Sequence, residues 1–158
     1  KSIASLIPLT QMPGVRLALV GGGPESAIAH GQFAHTNAHF TGVLQGEELI
    51  DAYNAADIFV FPSQSETFGL APVEAMACGL PVVAPFVGGL QETLRHGENS
   101  LVYDPNQPDA LVNAVMRLRD TPELRQTIAQ QAITYASQQS WQASMDQLIA
   151  VYSQHVRA

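Results

Sequence analysis

The sequence has 158 residues, 46% of them hydrophobic, with one cysteine and a formal net charge of −7. That length suits a single domain with its own core, and the negative balance excludes a duplex-binding role, which relies on Lys and Arg clustered against phosphates. The lone Cys78 excludes an internal disulfide, and no apolar run approaches the roughly 18 residues of a membrane-spanning helix.

From the start of the chain, Ser2 to Leu9 carries Ile3, Leu6 and Ile7 at helical spacing, and Pro13-Gly14 turns it into an apolar strand from Val15 to Val20. The opening K-S-I-A-S-L-I-P-L-T has no basic segment followed by a long apolar one, so no signal peptide is expected. Gly21-Gly22-Gly23-Pro24 follows the strand directly and opens a helix near Glu25. Three glycines permit a tight turn and a close backbone approach to a ligand, although the full G-x-G-x-x-G spacing is missing and a turn needs glycine in any case. His30, His35 and His39 have no cysteine or carboxylate for company, and zinc sites show three or four ligands, so no metal is expected there. His39 to Gly42 is a short strand, followed by a helix from Glu47 to Ala55 with Leu49, Ile50 and Tyr53 on one face. Leu44 reads as packing between that strand and that helix, and Asp57 as the end of the helix.

Ile58 to Pro62 is a β-branched and aromatic run closed by proline, which predicts a strand buried on both faces. Pro72 to Cys78 predicts a helix with proline in its first turn and Gly79 placed to stop it, and Leu80 to Ala84 predicts a second buried strand. Strand, polar turn, helix and strand make one βαβ unit, and in open parallel sheets ligands bind beyond the carboxyl ends of the strands. Glu66 lies in the turn and Glu74 in the first turn or so of the helix. The backbone N–H groups of Phe68, Gly69 and Leu70 suit a phosphate, because a helix start leaves its N–H groups unpaired. A carboxylate near that start accepts hydrogen bonds from paired hydroxyls, as on a ribose. The same residue types also fit a plainer reading, in which Glu74 offsets the helix dipole and Glu66 is a solvated loop acid.

Phe86 to Glu92 is a second strand-to-helix turn, with Gly88 and Gly89, facing the same crevice. Glu92 and Arg95 read as a helix-surface pair, Gly97 as the helix cap, and Leu101 to Tyr103 as the last strand. Leu111, Val112, Val115 and Leu118 form an apolar stripe, and Thr121-Pro122-Glu123 starts another helix with a cap and a first-turn proline. Ser140 caps a final helix carrying Trp141, Met145, Leu148, Ile149 and Tyr152 on its packing face. Cys78, between Ala77 and Gly79, is read as a small core side chain.

The stretch F-P-S-Q-S-E-T-F-G-L-A-P-V-E-A-M-A-C-G-L-P-V-V-A, with Glu66 and Glu74 as E-x7-E, resembles the signature of the retaining GT-B glycosyltransferases of family 4. The similarity extends through L-V-G-G-G-P at Leu19 to Pro24, F-T-G at Phe40 to Gly42 and G-E-N-S-L-V-Y-D-P at Gly97 to Pro105, and so covers nearly the whole chain. Leu44 to Asp57 looks most like the branch of sulfoquinovosyl- and mannosyl-transferases that make glycolipids. Ser100 stands where relatives often have glycine, a departure expected to affect a turn rather than function.

The resemblance implies an α/β fold: a Rossmann-like parallel sheet with helices on both faces, near residues 15–20, 39–42, 58–62, 80–85 and 101–103. Residues 1–158 would form one donor-binding domain, the C-terminal half of a GT-B enzyme. It implies that Glu66 is the catalytic carboxylate, positioning the sugar of a UDP- or GDP-hexose, and that Glu74 holds the ribose. Gly21, Gly23, Leu44, Thr67, Phe68, Gly69 and Leu70 would line the donor, with Leu44 beside the base. Relatives place a strand and an arginine turn before a lysine that Lys1 matches, so one strand and part of the diphosphate site are expected to be missing; with no acceptor half in the sequence, the chain is expected not to turn over alone. No Lys or Arg lies between Arg16 and Arg95, so the diphosphate falls to backbone N–H groups, a metal, or a residue from elsewhere, Lys1 first. The partners implied are the nucleotide-sugar donor, an N-terminal acceptor domain and a peripheral membrane contact made through that domain in the cytoplasm. No cofactor, metal or nucleic acid is implied. A nucleotide-sugar epimerase of the same architecture and a non-catalytic nucleotide-sugar binding domain remain the alternative readings.

Overall fold

The structure is a computed structural model that describes residues 2–67, 69–139 and 149. The expectations for Lys1, Phe68, Ser140, Trp141, Met145, Leu148 and Tyr152 lie outside the described residues. A 3-10 turn at Ile3–Leu6 runs into α1 (Ile7–Thr10), and strands then alternate with helices: β1 (Ala18–Val20), α2 (Ser26–Gln32), β2 (His39–Gly42) and α3 (Glu47–Asn54). The order continues with β3 (Phe59–Val60), α4 (Leu70–Ala77), β4 (Val82–Pro85), α5 (Leu90–Thr93), β5 (Ser100–Tyr103), α6 (Ala110–Asp120) and α7 (Pro122–Gln138).

All strand pairs are parallel, so within each ladder the strand-to-helix turns open at the same end. The side-chain alternation of a strand explains how both faces are covered. Val60, Val83, Leu101 and Tyr103 point into one apolar cluster with Leu6, Leu9, Phe33, Leu111, Val115, Leu118 and Ile128. Their neighbours Phe59, Phe61, Val82, Ala84 and Val102 point into another with Ala75, Met76, Leu90 and Ala132. α6 thus covers one face and α4 and α5 the other, while α7 feeds both through Ile128 and Ala132. Each fully buried Leu, Met or Val side chain here stabilises the fold by about 1.5–3 kcal/mol.

The strands do not form the single continuous sheet that the sequence predicts. β1 pairs with β2 in one ladder, and β3, β4 and β5 form another in that order. Nothing local in a strand's sequence names its neighbour, and no ladder joins β1 to β3 among the described residues. The halves meet through side chains instead: Leu17 and Leu19 from one, Ile58 and Val60 from the other, all packed on the same cluster. This also corrects the expectation that the central strand is buried on both faces. Phe59 and Val60 are half-buried, whereas β4, flanked on both sides, is wholly buried. On β1, Ala18 and Val20 are exposed.

α4 ends as its sequence predicts. Gly79 takes the left-handed conformation (φ 79°), its N–H donates to the Met76 carbonyl at 3.0 Å, and the Leu80 N–H donates to the Ala75 carbonyl at 3.0 Å. These two bonds satisfy carbonyls that a helix end leaves open. Other boundaries move: α3 closes at Asn54 rather than at Asp57. α5 closes at Thr93, leaving Gly97 in the turn before β5, where its N–H donates to the Ser100 carbonyl at 2.8 Å. Thr121 stands at the N-cap of α7 without a side-chain cap bond. Cys78 is half-buried at the end of α4 rather than in the core.

Candidate functional site

The central turn is built from β3 outward. Past Pro62, the Ser63 side chain is 2% exposed and its hydroxyl donates to the Ser65 carbonyl at 3.1 Å, which bends the chain towards Glu66. The turn ends at Gly69, which is left-handed (φ 79°) and begins α4 without any side-chain cap. A Cβ on Gly69 would meet Leu90 Cδ2 at 2.7 Å and stand 3.7 Å from Glu66 Cγ. Glycine is therefore required by conformation and by space, and the Glu66 side chain runs alongside the start of the helix.

The second glycine turn closes on the same place. The Gly89 N–H donates to the Glu66 carbonyl at 3.0 Å, and a Cβ on Gly88 would stand 2.8 Å from that oxygen. Leu90, just beyond, is fully buried under Gly69. The turns after β3 and β4 therefore form one unit, with Glu66 half-exposed and Thr67 exposed. Next to it, Phe86, Val87, Tyr103, Asp104 and Asn106 line an open pocket beyond the ends of β4 and β5. Burial raises the Tyr103 phenol to about 12.

Glu74 lies five residues into α4, so the first turn holds no acidic side chain. The macrodipole acts mainly on the first turn, which weakens the plainer reading of Glu74 as a dipole partner. Its carboxylate instead meets α3: the Tyr53 hydroxyl donates to Glu74 Oε2 at 3.1 Å. Burial first, and the Glu74 carboxylate second, push the Tyr53 phenol well above its usual range. The Tyr53 ring stands edge-on to Phe59 with centroids 5.7 Å apart, and Phe59 stacks on Phe61 at 6.1 Å. Sequence reasoning placed Tyr53 on a packing face only. No spacing signal pairs it with Glu74, because the two are 21 residues apart on different helices.

The other ladder supplies two further turns, after β1 and after β2. The Gly21 N–H donates to the Gly42 carbonyl at 2.8 Å, and a Cβ on Gly22 would meet Val43 Cγ2 at 3.1 Å. Gly21 and Gly23 have open space around the position of a Cβ, and Leu44 is half-buried. The structure thus joins Gly21, Gly23 and Leu44 in one pair of turns and Glu66, Gly69 and Leu70 in another, with Tyr53 linking α3 to Glu74. His30 stacks on Phe40 with centroids 3.9 Å apart, and no three potential metal ligands cluster among the described residues. Arg95 pairs with Glu98 at 3.8 Å rather than with Glu92. No helix among the described residues is long and apolar enough to cross a membrane.

Residues 2–135 match the family described as glycosyl transferases group 1. A D-inositol 3-phosphate glycosyltransferase of Thermomonospora curvata is 42% identical over 105 residues, 66% of this chain and 24% of that protein. The sulfoquinovosyl transferase of Arabidopsis thaliana is 35% identical over 139 residues, 86% of this chain and 27% of that protein. Among solved structures, sucrose-phosphate synthase from Thermosynechococcus elongatus superposes with a TM-score of 0.82 at 32% identity, covering 99% of this chain and 42% of that one. HepE from Anabaena, in complex with UDP-glucose, gives 0.80 at 30% identity, covering 95% and 44%. The chain spans about a quarter of the length of these curated relatives.

Proposed function

Because the chain belongs to the glycosyl transferases group 1 family, we propose that it is the donor-binding part of a retaining glycosyltransferase. The full enzyme would move a hexose from a nucleotide diphosphate sugar to an acceptor hydroxyl. The observation that carries the reading is the uncapped, left-handed start of α4 at Gly69, with the Glu66 side chain alongside it and the Gly88-Gly89 turn closing from behind. With no Lys or Arg between Arg16 and Arg95, the diphosphate is held by neutral donors, the N–H groups of Phe68 to Leu70, aided by Lys1. Fixed donors aimed at developing charge need no reorganisation during reaction. Glu66 positions the sugar, Glu74 accepts from the ribose hydroxyls, and Gly21, Gly23 and Leu44 border the base and phosphates. The bond from the anomeric carbon to the diphosphate oxygen breaks with its electron pair leaving on the diphosphate, the acceptor oxygen takes its place, and the acceptor hydroxyl proton passes to the departing diphosphate.

The complex of HepE with UDP-glucose supports a uridine diphosphate sugar, and the D-inositol 3-phosphate glycosyltransferase relative supports a small polyol acceptor, a lipid hydroxyl being the alternative. The acceptor would be held by a further domain, through which the enzyme would touch a membrane from the cytoplasm. A thermal-shift panel of UDP, GDP and ADP tests the donor site, repeated with Glu74→Ala. A ligand at about 100 times its Kd stabilises by roughly 2.7 kcal/mol, a shift of several degrees for this size. The expected result is a selective shift that Glu74→Ala removes. A shift unchanged in Glu74→Ala overturns the ribose assignment, and no shift with any nucleotide overturns the donor site in this chain.

A further inference from the structure

We propose that Tyr53 is a positioning residue for the donor, its hydroxyl holding one carboxylate oxygen of Glu74 so that the rest of the group is presented to the ribose diol. The inference rests on the reading of Glu74 given above and extends it to a residue on another helix. Glu74 is an exposed side chain, and such a side chain samples many rotamers unless something holds it. The Tyr53 hydroxyl, 3.1 Å from Oε2, is its hydrogen-bond partner among the described residues, and no ion pair there competes for the carboxylate.

The tyrosine is itself held. Its ring is edge-on to Phe59, which stacks on Phe61 from the end of β3, and all three belong to the cluster under α4. The hydroxyl therefore emerges from a packed aromatic row at a defined place. A carboxylate offers about four lone-pair sites, so one bond to Tyr53 leaves acceptor capacity for two hydroxyls. A tyrosine phenol stays protonated throughout the neutral range, so Tyr53 donates there. Holding a binding group in its bound conformation before the ligand arrives raises affinity without a new ligand contact.

The test titrates UDP and GDP, each beside its 2′,3′-dideoxy counterpart, into the chain and into Tyr53→Phe, Glu74→Ala and the double variant. Phenylalanine keeps the ring packing and removes only the hydroxyl. The expected result for Tyr53→Phe is binding of the ribonucleotide weakened about 3- to 10-fold. The dideoxy counterpart should bind as before, with melting temperature near that of the parent. In the Glu74→Ala background the same change should have no further effect. Loss of diol discrimination in Glu74→Ala but its full retention in Tyr53→Phe overturns the positioning role and leaves the ribose reading standing. Retained discrimination in Glu74→Ala, or no binding of either nucleotide, overturns both. Should Tyr53→Phe fail to fold, Glu74→Asp withdraws the carboxylate from the hydroxyl by one methylene, and undiminished discrimination there overturns the inference.

Discussion

The carbonyl oxygen of Glu66 lies against Gly88, 2.8 Å from where a side chain on that glycine would begin. Gly88 is also left-handed (φ 52°), so an alanine there meets conformational strain and a backbone atom that already accepts from Gly89. Gly69→Ala meets similar strain but a softer obstacle, the Cδ2 end of buried Leu90 at 2.7 Å, and Gly14→Ala (φ 77°) meets strain in open space. The expected losses in urea unfolding are about 1 kcal/mol for Gly14→Ala and at least about 2 kcal/mol for Gly88→Ala, with Gly69→Ala between them. A Gly88→Ala no less stable than Gly14→Ala would show that the two turns are not packed as described.

Asn99 closes the loop between α5 and β5 from inside. Its Oδ1 accepts from the Arg95 N–H at 2.8 Å and its Nδ2 donates to the Thr93 carbonyl at 3.0 Å, with the residue 2% exposed. Asn99→Ala leaves both backbone groups unpaired, an expected loss of about 2–4 kcal/mol. Asn106→Ala, which removes an exposed bond to Asp104, is expected to change stability by less than about 0.5 kcal/mol. Parallel urea titrations of the two variants measure the difference.

Alkaline conditions should unfold the domain through its tyrosines. Burial raises Tyr53, Tyr103 and Tyr135 above the ordinary phenol value of 10.0, Tyr103 to about 12. Between those values the unfolded chain has released protons that the native chain still binds, so stability falls as pH rises. It is complete below about pH 10 and declines towards pH 12, each group contributing at most about 1.4 kcal/mol per pH unit. Melting temperature followed across this range should fall less steeply in Tyr103→Phe, and an identical slope would remove Tyr103 from the account.

What the sequence made legible was local. The run from Pro72 to Gly79 carries its own stop, and α4 ends at Gly79 through the two capping bonds expected of such a residue, whereas the helix starts at Leu70, two residues before the proline. β2, and α3 at its start, follow from period and flanking glycines to within a residue or so. The candidate site was legible where its residues lie close in the chain, as with Glu66 and Gly69. It was not legible where the partner is distant. Tyr53 reaches Glu74 only because β3 returns the chain under α4, and Arg95 takes Glu98 rather than Glu92 because α5 ends at Thr93. The division of the strands into two ladders belongs to the same class, since pairing depends on which edges meet and not on the composition of either strand.

That division decides how order is shared within the domain. A hydrogen-bonded ladder has a register and fails as a row, whereas Leu19 and Val60, meeting on a common cluster, have none. Fraying of β1 and β2 would cost the other three strands buried area but no row of hydrogen bonds. The two ladders share one interior but no row of hydrogen bonds, and the proposed donor would bridge them, with the base and part of the phosphates on one and the ribose and sugar on the other. Ligand binding would then act as a staple, supplying across the boundary the directional bonds that the backbone does not.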